Sequence, residues 1–141
     1  MTTLEELKIV LESGEEWDQI VYLSHLTDIF ESYNKNIQDF DEIMKTLIEY
    51  AIEQREGKMV EEVLCVITDA QTYQNIDNID FSAFAENLSM VSGNVLFKYI
   101  EILSYTYDSR YIPDILKFED HDAADIRLGV KDALIELRYK S

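Results

Sequence analysis

Two successive helical patterns stand in residues 39–72, whose sequence is DFDEIMKTLIEYAIEQREGKMVEEVLCVITDAQT. Apolar residues recur every three or four positions in both halves, and Gly57 lies between the halves. This spacing puts the apolar side chains on one face of an α-helix. The pattern therefore predicts helices over 39–56 and 58–72. A connection of about one residue requires them to fold back as an antiparallel hairpin.

The same spacing continues on both sides of this hairpin. It predicts six further helices, over residues 3–12, 15–33, 81–90, 94–107, 109–119 and 123–138. The chain has only four glycines and one proline, too few for the many turns of a sandwich or barrel. We therefore expect an all-α fold of about eight helices in a single domain, residues 1–141. Within it, 1–33 forms an N-terminal helical cap and 39–138 forms three helix pairs.

A resemblance supports the pairing near the end of the chain. Residues 108–118, DSRYIPDILKF, are similar to the first helix of a HEAT-like repeat of the phycocyanobilin-lyase type, and Asp125-Ile126-Arg127 followed by Ala133-Leu134 resembles the second. Tyr107 stands where that family has glycine, and Ser109 stands where it has proline. The resemblance implies a HEAT-like solenoid, whose second helices line a concave binding face. It also implies that four charged residues shape the turns: Asp108, Arg110, Asp125 and Arg127.

The net charge of the chain indicates which classes of partner it is suited to bind. The chain has 29 acidic and 12 basic residues, a net charge of −17 and a pI near 4.2. Residues 1–70 carry a net −12 and residues 71–141 a net −5. Phosphate binding needs clustered lysine and arginine, so nucleic acid and anionic membranes are disfavoured and a basic protein partner is favoured. With no apolar run of about 18 residues and no signal-peptide pattern at the start, we expect a cytoplasmic protein, monomeric when free.

Signatures of catalysis and of metal binding are missing from the sequence. The four glycines stand apart, so no phosphate-binding loop is present. Cys65 lies in an apolar run and is expected to be a small core residue, while His25 is expected on a helix surface. Residues 119–122, EDHD, lack the glycine of a calcium loop and are better explained as a turn before the last helix. We predict no enzyme, catalytic residue, cofactor or metal.

Acidic and aromatic residues are expected together on the second helices of the pairs. Nine tyrosines and one tryptophan are a composition that suits recognition surfaces. The outward positions of 58–72, 94–107 and 122–138 predict an acidic, aromatic groove for a protein partner. Its candidate residues are Glu61, Glu62, Asp69, Tyr73, Glu101, Tyr105, Asp132 and Glu136.

These features predict a non-catalytic acidic binding protein. In size, charge and architecture the chain resembles bacterial immunity proteins, which implies that it neutralises a cognate toxin by occluding a basic active or binding surface. The alternative is an adaptor or scaffold that holds a peptide or a protein subunit. An enzyme that uses His25 or carboxylates would require a closed pocket around them.

Overall fold

The computed structural model describes residues 1–140, which contain eight α-helices, two short 3-10 turns and no strand. This confirms the all-α class. The 3-10 turns span Leu88–Met90 and Ser109–Tyr111. The helices are α1 (Thr3–Ser13), α2 (Glu16–Glu31), α3 (Phe40–Gln54), α4 (Lys58–Tyr73), α5 (Ser82–Glu86), α6 (Gly93–Ser104), α7 (Ile112–Leu116) and α8 (Ala124–Lys140). The chain divides into two compact units, Met1–Asp80 and Phe81–Ser141.

The first unit is built from two helix pairs. Helix α1 packs on α2 and on α3, and α4 packs on α2 and on α3, so the two pairs meet first helix to first helix and second to second. Their shared core includes the fully buried Leu26, Phe30, Met44, Leu64 and Ile67. Burying one such side chain contributes about 1.5–3 kcal/mol, so the apolar stripes hold this unit together.

The second unit repeats this arrangement with shorter first helices. Helix α5 packs on α6, α7 packs on α8, and the second helices α6 and α8 pack on each other. Phe84 of α5 meets the buried ring of Tyr99 edge to face, with 4.8 Å between the ring centroids. Each of the three predicted pairs thus contains two helices in contact. Their stacking into one solenoid stays a prediction.

The turns on both sides of α7 use the charged residues that the HEAT-like resemblance singles out. Asp108 accepts hydrogen bonds from its neighbour Arg110, at 3.0 Å from the backbone nitrogen and 2.9 Å from Nε. Arg127 donates from one guanidinium nitrogen to the carbonyl oxygens of His121 and Asp122, at 2.6 and 2.8 Å. The turn-forming role is therefore confirmed for Asp108, Arg110 and Arg127. Asp125 accepts only from the next backbone nitrogen, at 2.9 Å.

The spacing within the predicted helix 15–33 puts Trp17 and Tyr33 in its apolar stripe, and Cys65 is predicted in the core, but all three side chains are exposed. Trp17 is 73% exposed because it lies two residues before Gln19, where the buried face of α2 begins. Tyr33 is fully exposed because α2 ends at Glu31. Cys65 is exposed because the buried positions of α4, among them Val60, Val63, Leu64 and Ile67, leave it on the outer face. The prediction that Cys65 is a core residue is wrong.

Candidate functional site

A groove of about 300 Å³ runs between α6 and α8 in the second unit. We call it the acidic groove. It brings together four of the eight predicted residues: Glu101, Tyr105, Asp132 and Glu136. Phe97, Ser104, Gly129, Ala133 and Ile135 complete the lining. No lysine or arginine is among the described residues that line it.

Helical spacing explains why these four side chains converge. Glu101 and Tyr105 are four residues apart at the end of α6, and Asp132 and Glu136 are four residues apart on α8. Residues at this spacing lie above one another on a single helix face. Since α6 packs on α8, the two faces form opposite walls of one groove.

The floor of the acidic groove depends on a glycine that the sequence analysis did not select. A Cβ atom built on Gly129 would lie 3.0 Å from the ring of Phe97, so this ring rests directly against the backbone of α8. A ring face at the floor supplies apolar area and can also stack on a cation. Phe97 and Gly129 were missed because the approach of α6 to α8 is a tertiary feature. The only local signal is a glycine within a helical pattern, which often marks close packing.

The electrostatics of the acidic groove favour a positively charged ligand group. Three carboxylates line it, and one oxygen of Glu136, Oε2, is shielded from solvent. Burial raises the pKa of the Tyr105 phenol, and the negative charge of Glu101, the neighbouring Tyr107 and Glu136 raise it further. The phenol is therefore protonated at neutral pH and can donate a hydrogen bond from the groove wall.

The other four predicted residues lie on α4 in the first unit. Glu62, Asp69 and Tyr73 follow one another at spacings of seven and four, and the exposed Cys65 lies on the same stripe. Asp69 is half-buried and accepts a hydrogen bond from Thr27 of α2. Burial raises the pKa of Asp69, although the bond from Thr27 opposes this rise. Asp69 thus joins two helices of its own unit.

The remaining candidates of α4 differ in exposure and contacts. Glu61 is half-buried and Glu62 is exposed. Tyr73 is also exposed, and its carbonyl oxygen accepts a hydrogen bond from Nζ of Lys35. Whether these α4 residues bind a partner stays a prediction.

A third charged surface lies between α1 and α3 of the first unit, where sequence analysis predicted no site. The groove has a volume of about 500 Å³ and mixes four glutamates with two lysines: Glu12, Glu42, Glu49, Glu53, Lys8 and Lys45. Burial raises the pKa of Tyr50, which lies beside them. The lining of this groove carries a net charge of −2, against −3 for the lining of the acidic groove.

Neither of the two histidines lines the acidic groove. His25 is exposed and meets the ring of Tyr22 edge to face at 5.6 Å. His121 belongs to the turn before α8, where Nδ1 accepts a hydrogen bond from the backbone nitrogen of Ala123 at 3.0 Å. Among residues 1–140, no group of three or more histidine, cysteine or acidic side chains has a geometry that could hold a metal ion.

In comparisons with known proteins, no family model, no curated protein and no solved structure matches the chain. Within the described residues, no helix has the length and apolar character needed to cross a membrane. The HEAT-like resemblance and the toxin-neutralising function therefore stay predictions.

Proposed function

We propose that this chain is a non-catalytic binding protein that covers a basic surface of a partner protein. The observation that carries the proposal is the acidic groove, which three carboxylates, a protonated tyrosine and the ring of Phe97 line together. Lysine and arginine side chains of the partner are the groups that such a lining attracts.

The proposed mechanism is electrostatic and steric. The net charge of −17 steers a basic partner to the chain and raises the association rate. After docking, the carboxylates pair with cationic side chains, and Tyr105 and Phe97 supply contact area at the centre. Truncating one member of a desolvated charge pair at an interface costs about 2–5 kcal/mol, much of it because the other charge is left buried and unpaired, so binding should be sensitive to changes in these carboxylates.

In its specific form, the proposal is that the partner is a toxin domain and the chain is its immunity protein. A toxin that acts on a phosphate-bearing or otherwise anionic substrate has a basic active site, and an acidic protein can occupy that site in place of the substrate. The charge and the absence of catalytic motifs in the sequence support this form.

An adaptor or scaffold is the second candidate function. It is favoured by the packing of second helix on second helix within each unit, α2 on α4 and α6 on α8. Such packing is typical of helical repeats that present an extended surface to a peptide. The identity of the bound protein separates the two candidates, since an adaptor holds a non-toxic subunit or peptide.

Capture from a lysate of the source cells tests the proposal. Tagged wild-type protein is compared with a groove variant, Asp132→Lys/Glu136→Lys, and with a matched control, Asp28→Lys/Glu31→Lys, on the exposed face of α2. Both variants change the net charge equally, and circular dichroism checks that each is folded. Retained proteins are eluted with salt and identified by mass spectrometry.

We expect the wild type and the control to retain one basic protein at about 0.05 M salt and to release it at about 1 M, where the Debye length falls to about 3 Å. The groove variant should not retain it. Equal retention by all three proteins, or a partner that is itself acidic, would contradict the proposal. A basic partner with no toxic activity would support the adaptor function instead.

A further inference from the structure

A second groove, of about 430 Å³, lies on the other side of α8. We call it the basic groove. Its cationic residues are Arg127, Lys131 and Arg138 of α8, and Glu119 and Asp120 from the turn after α7 face them. Three of the 12 basic residues of an otherwise acidic chain therefore share one surface.

Apolar side chains accompany these cations. Val130 and Leu134 are buried and form the floor of the basic groove. Ile135 and Tyr139 are 50% and 84% exposed at its edge. Exposed aliphatic and aromatic side chains beside a groove are the usual composition of a surface that binds another polypeptide.

The charges of this surface are available to a ligand. Among residues 1–140, Lys131 and Arg138 form no ion pair, although acidic residues outnumber basic ones more than twofold. Arg127 holds the turn carbonyls of His121 and Asp122 and leaves its positive charge in the groove. The fold therefore places three positive charges on one wall without neutralising Lys131 or Arg138.

Two pairs of like charges stand one helical turn apart on α8. Arg127 and Lys131 are four residues apart, as are Asp132 and Glu136, so like charges lie above one another on each side of the helix. Opposite charges at this spacing stabilise a helix and like charges weaken it. A local arrangement that opposes stability is expected where the surface has a binding role.

We propose that the basic groove docks an acidic, amphipathic segment of a partner protein, in which carboxylates flank one or two apolar side chains. Charge complementarity selects the carboxylates, and the exposed Ile135 and Tyr139 select the apolar neighbours. A dense polyanion is a poor occupant, because Glu119, Asp120 and the net charge of −17 repel it. Ile135 lines both grooves, but the charged residues of the two grooves are different, so this inference does not depend on the proposed function.

The probe is a phage-displayed library of random linear peptides, selected on the immobilised full-length protein. The test variant is Lys131→Glu/Arg138→Glu in the basic groove. Its matched control is Lys45→Glu/Lys58→Glu at exposed positions of the first unit, which changes the net charge by the same amount, and circular dichroism checks that both are folded. Enriched peptides are then synthesised, together with versions whose carboxylates are changed to amides. Calorimetry measures their affinities for the three proteins.

We expect the wild type to enrich peptides with aspartate or glutamate beside leucine, isoleucine or aromatic residues. The amide versions and the Lys131→Glu/Arg138→Glu variant should each weaken binding about tenfold or more, while the Lys45→Glu/Lys58→Glu variant keeps it. The inference is overturned if no peptide is enriched, if the enriched peptides are basic, or if the Lys131→Glu/Arg138→Glu variant binds them as the wild type does.

Discussion

Tyr107 shows how one residue can carry a backbone conformation that its type disfavours. Its φ is 54°, in the left-handed region, three residues after the end of α6 and just before Asp108. The resembled HEAT-like family has glycine at this position, and glycine adopts such a φ without the steric penalty that a Cβ introduces. The conformation therefore gives a physical reason for glycine at this point of a repeat.

Substitution at Tyr107 tests this strain. Tyr107→Gly and Tyr107→Ala both remove the ring and differ only in the Cβ atom. We expect the glycine variant to be more stable by about 1 kcal/mol in urea denaturation. The matched control is Glu49 inside α3, where the alanine variant should be more stable than the glycine variant by about 1 kcal/mol. An alanine variant at 107 as stable as the glycine variant would show that the position is unstrained.

The contacts of Tyr22 predict that the stability of the first unit depends on pH. Its hydroxyl donates to the carbonyl oxygen of Thr3 at 3.0 Å and lies 3.3 Å from the carboxylate of Glu6. Burial, the charge of Glu6 and the bond to Glu6 raise the pKa of Tyr22 from 10.0 to about 12. Because the pKa of Tyr22 is higher in the folded chain than in the unfolded chain, the protonated phenol stabilises the fold. This stabilisation is complete below pH 10 and is lost as the pH rises towards 12.

The variant Tyr22→Phe should lower the free energy of unfolding by about 0.5–1.5 kcal/mol at pH 7, the net value of one hydrogen bond. In ultraviolet titration it should also remove one phenol that ionises near pH 12. The exposed Tyr33 is the control, since Tyr33→Phe should leave stability unchanged. Equal effects of the two substitutions would contradict the assigned contacts of Tyr22.

At the scale of the element, periodicity predicted the long helices well and the short ones less well. The observed bounds of α3, α4 and α6 lie within three residues of those predicted. The predicted helices 81–90 and 109–119 are each divided into a 3-10 turn and an α-helix of five residues. Segments this short gain little from helix propagation, so tertiary contacts rather than local pattern decide their form.

The same limit applies to the acidic groove. Spacing alone placed Glu101 with Tyr105 and Asp132 with Glu136, because each pair spans one helical turn. It did not predict that Phe97 would lie on Gly129 at the floor, since no local pattern reports how closely two helices approach. It also misplaced Cys65, because an apolar run of several residues does not show which member faces outward.

A double-mutant cycle can test the contact between Phe97 of α6 and Gly129 of α8. Gly129→Ala gains about 1 kcal/mol of helix propensity, but its Cβ must displace the Phe97 ring at 3.0 Å. When Phe97 is present, we expect the gain in helix propensity and the cost of displacing the ring nearly to cancel. In a Phe97→Ala background, where the ring is absent, Gly129→Ala should stabilise by about 1 kcal/mol. Equal effects in both backgrounds, measured by urea denaturation, would show that the ring does not rest on Gly129.

At the scale of the whole molecule, charge is distributed unevenly between the two units. Residues 1–80 hold 19 acidic and 5 basic residues, and residues 81–141 hold 10 and 7, so the net charges are −14 and −3. The sequence alone predicted the acidity and its bias towards the first half. The four-residue spacing of like charges along α8 is visible in the sequence, but the two grooves that these charges line required the structure, because they depend on which elements α8 contacts.

Self-repulsion of a net charge of −17 weakens the compact state, and salt screens it. Raising sodium chloride from about 0.05 M to about 1 M should therefore raise the midpoint of thermal unfolding by a few degrees. This shift corresponds to about 1 kcal/mol in the free energy of unfolding. Calorimetry with the charge-reversed Asp28→Lys/Glu31→Lys variant, which carries four fewer net negative charges, should show a smaller rise. A midpoint that falls with salt would mean that attractive ion pairs dominate over repulsion.

The central claim, that the acidic groove binds a basic protein surface, is tested most directly by association kinetics with the captured and purified partner. We predict that the association rate constant of the wild type falls by about tenfold or more between about 0.05 M and 0.5 M salt. Asp132→Lys/Glu136→Lys should remove most of this dependence and speed dissociation, while Asp28→Lys/Glu31→Lys should leave dissociation unchanged. A rate constant that does not change with salt, together with equal dissociation from both variants, would contradict the claim.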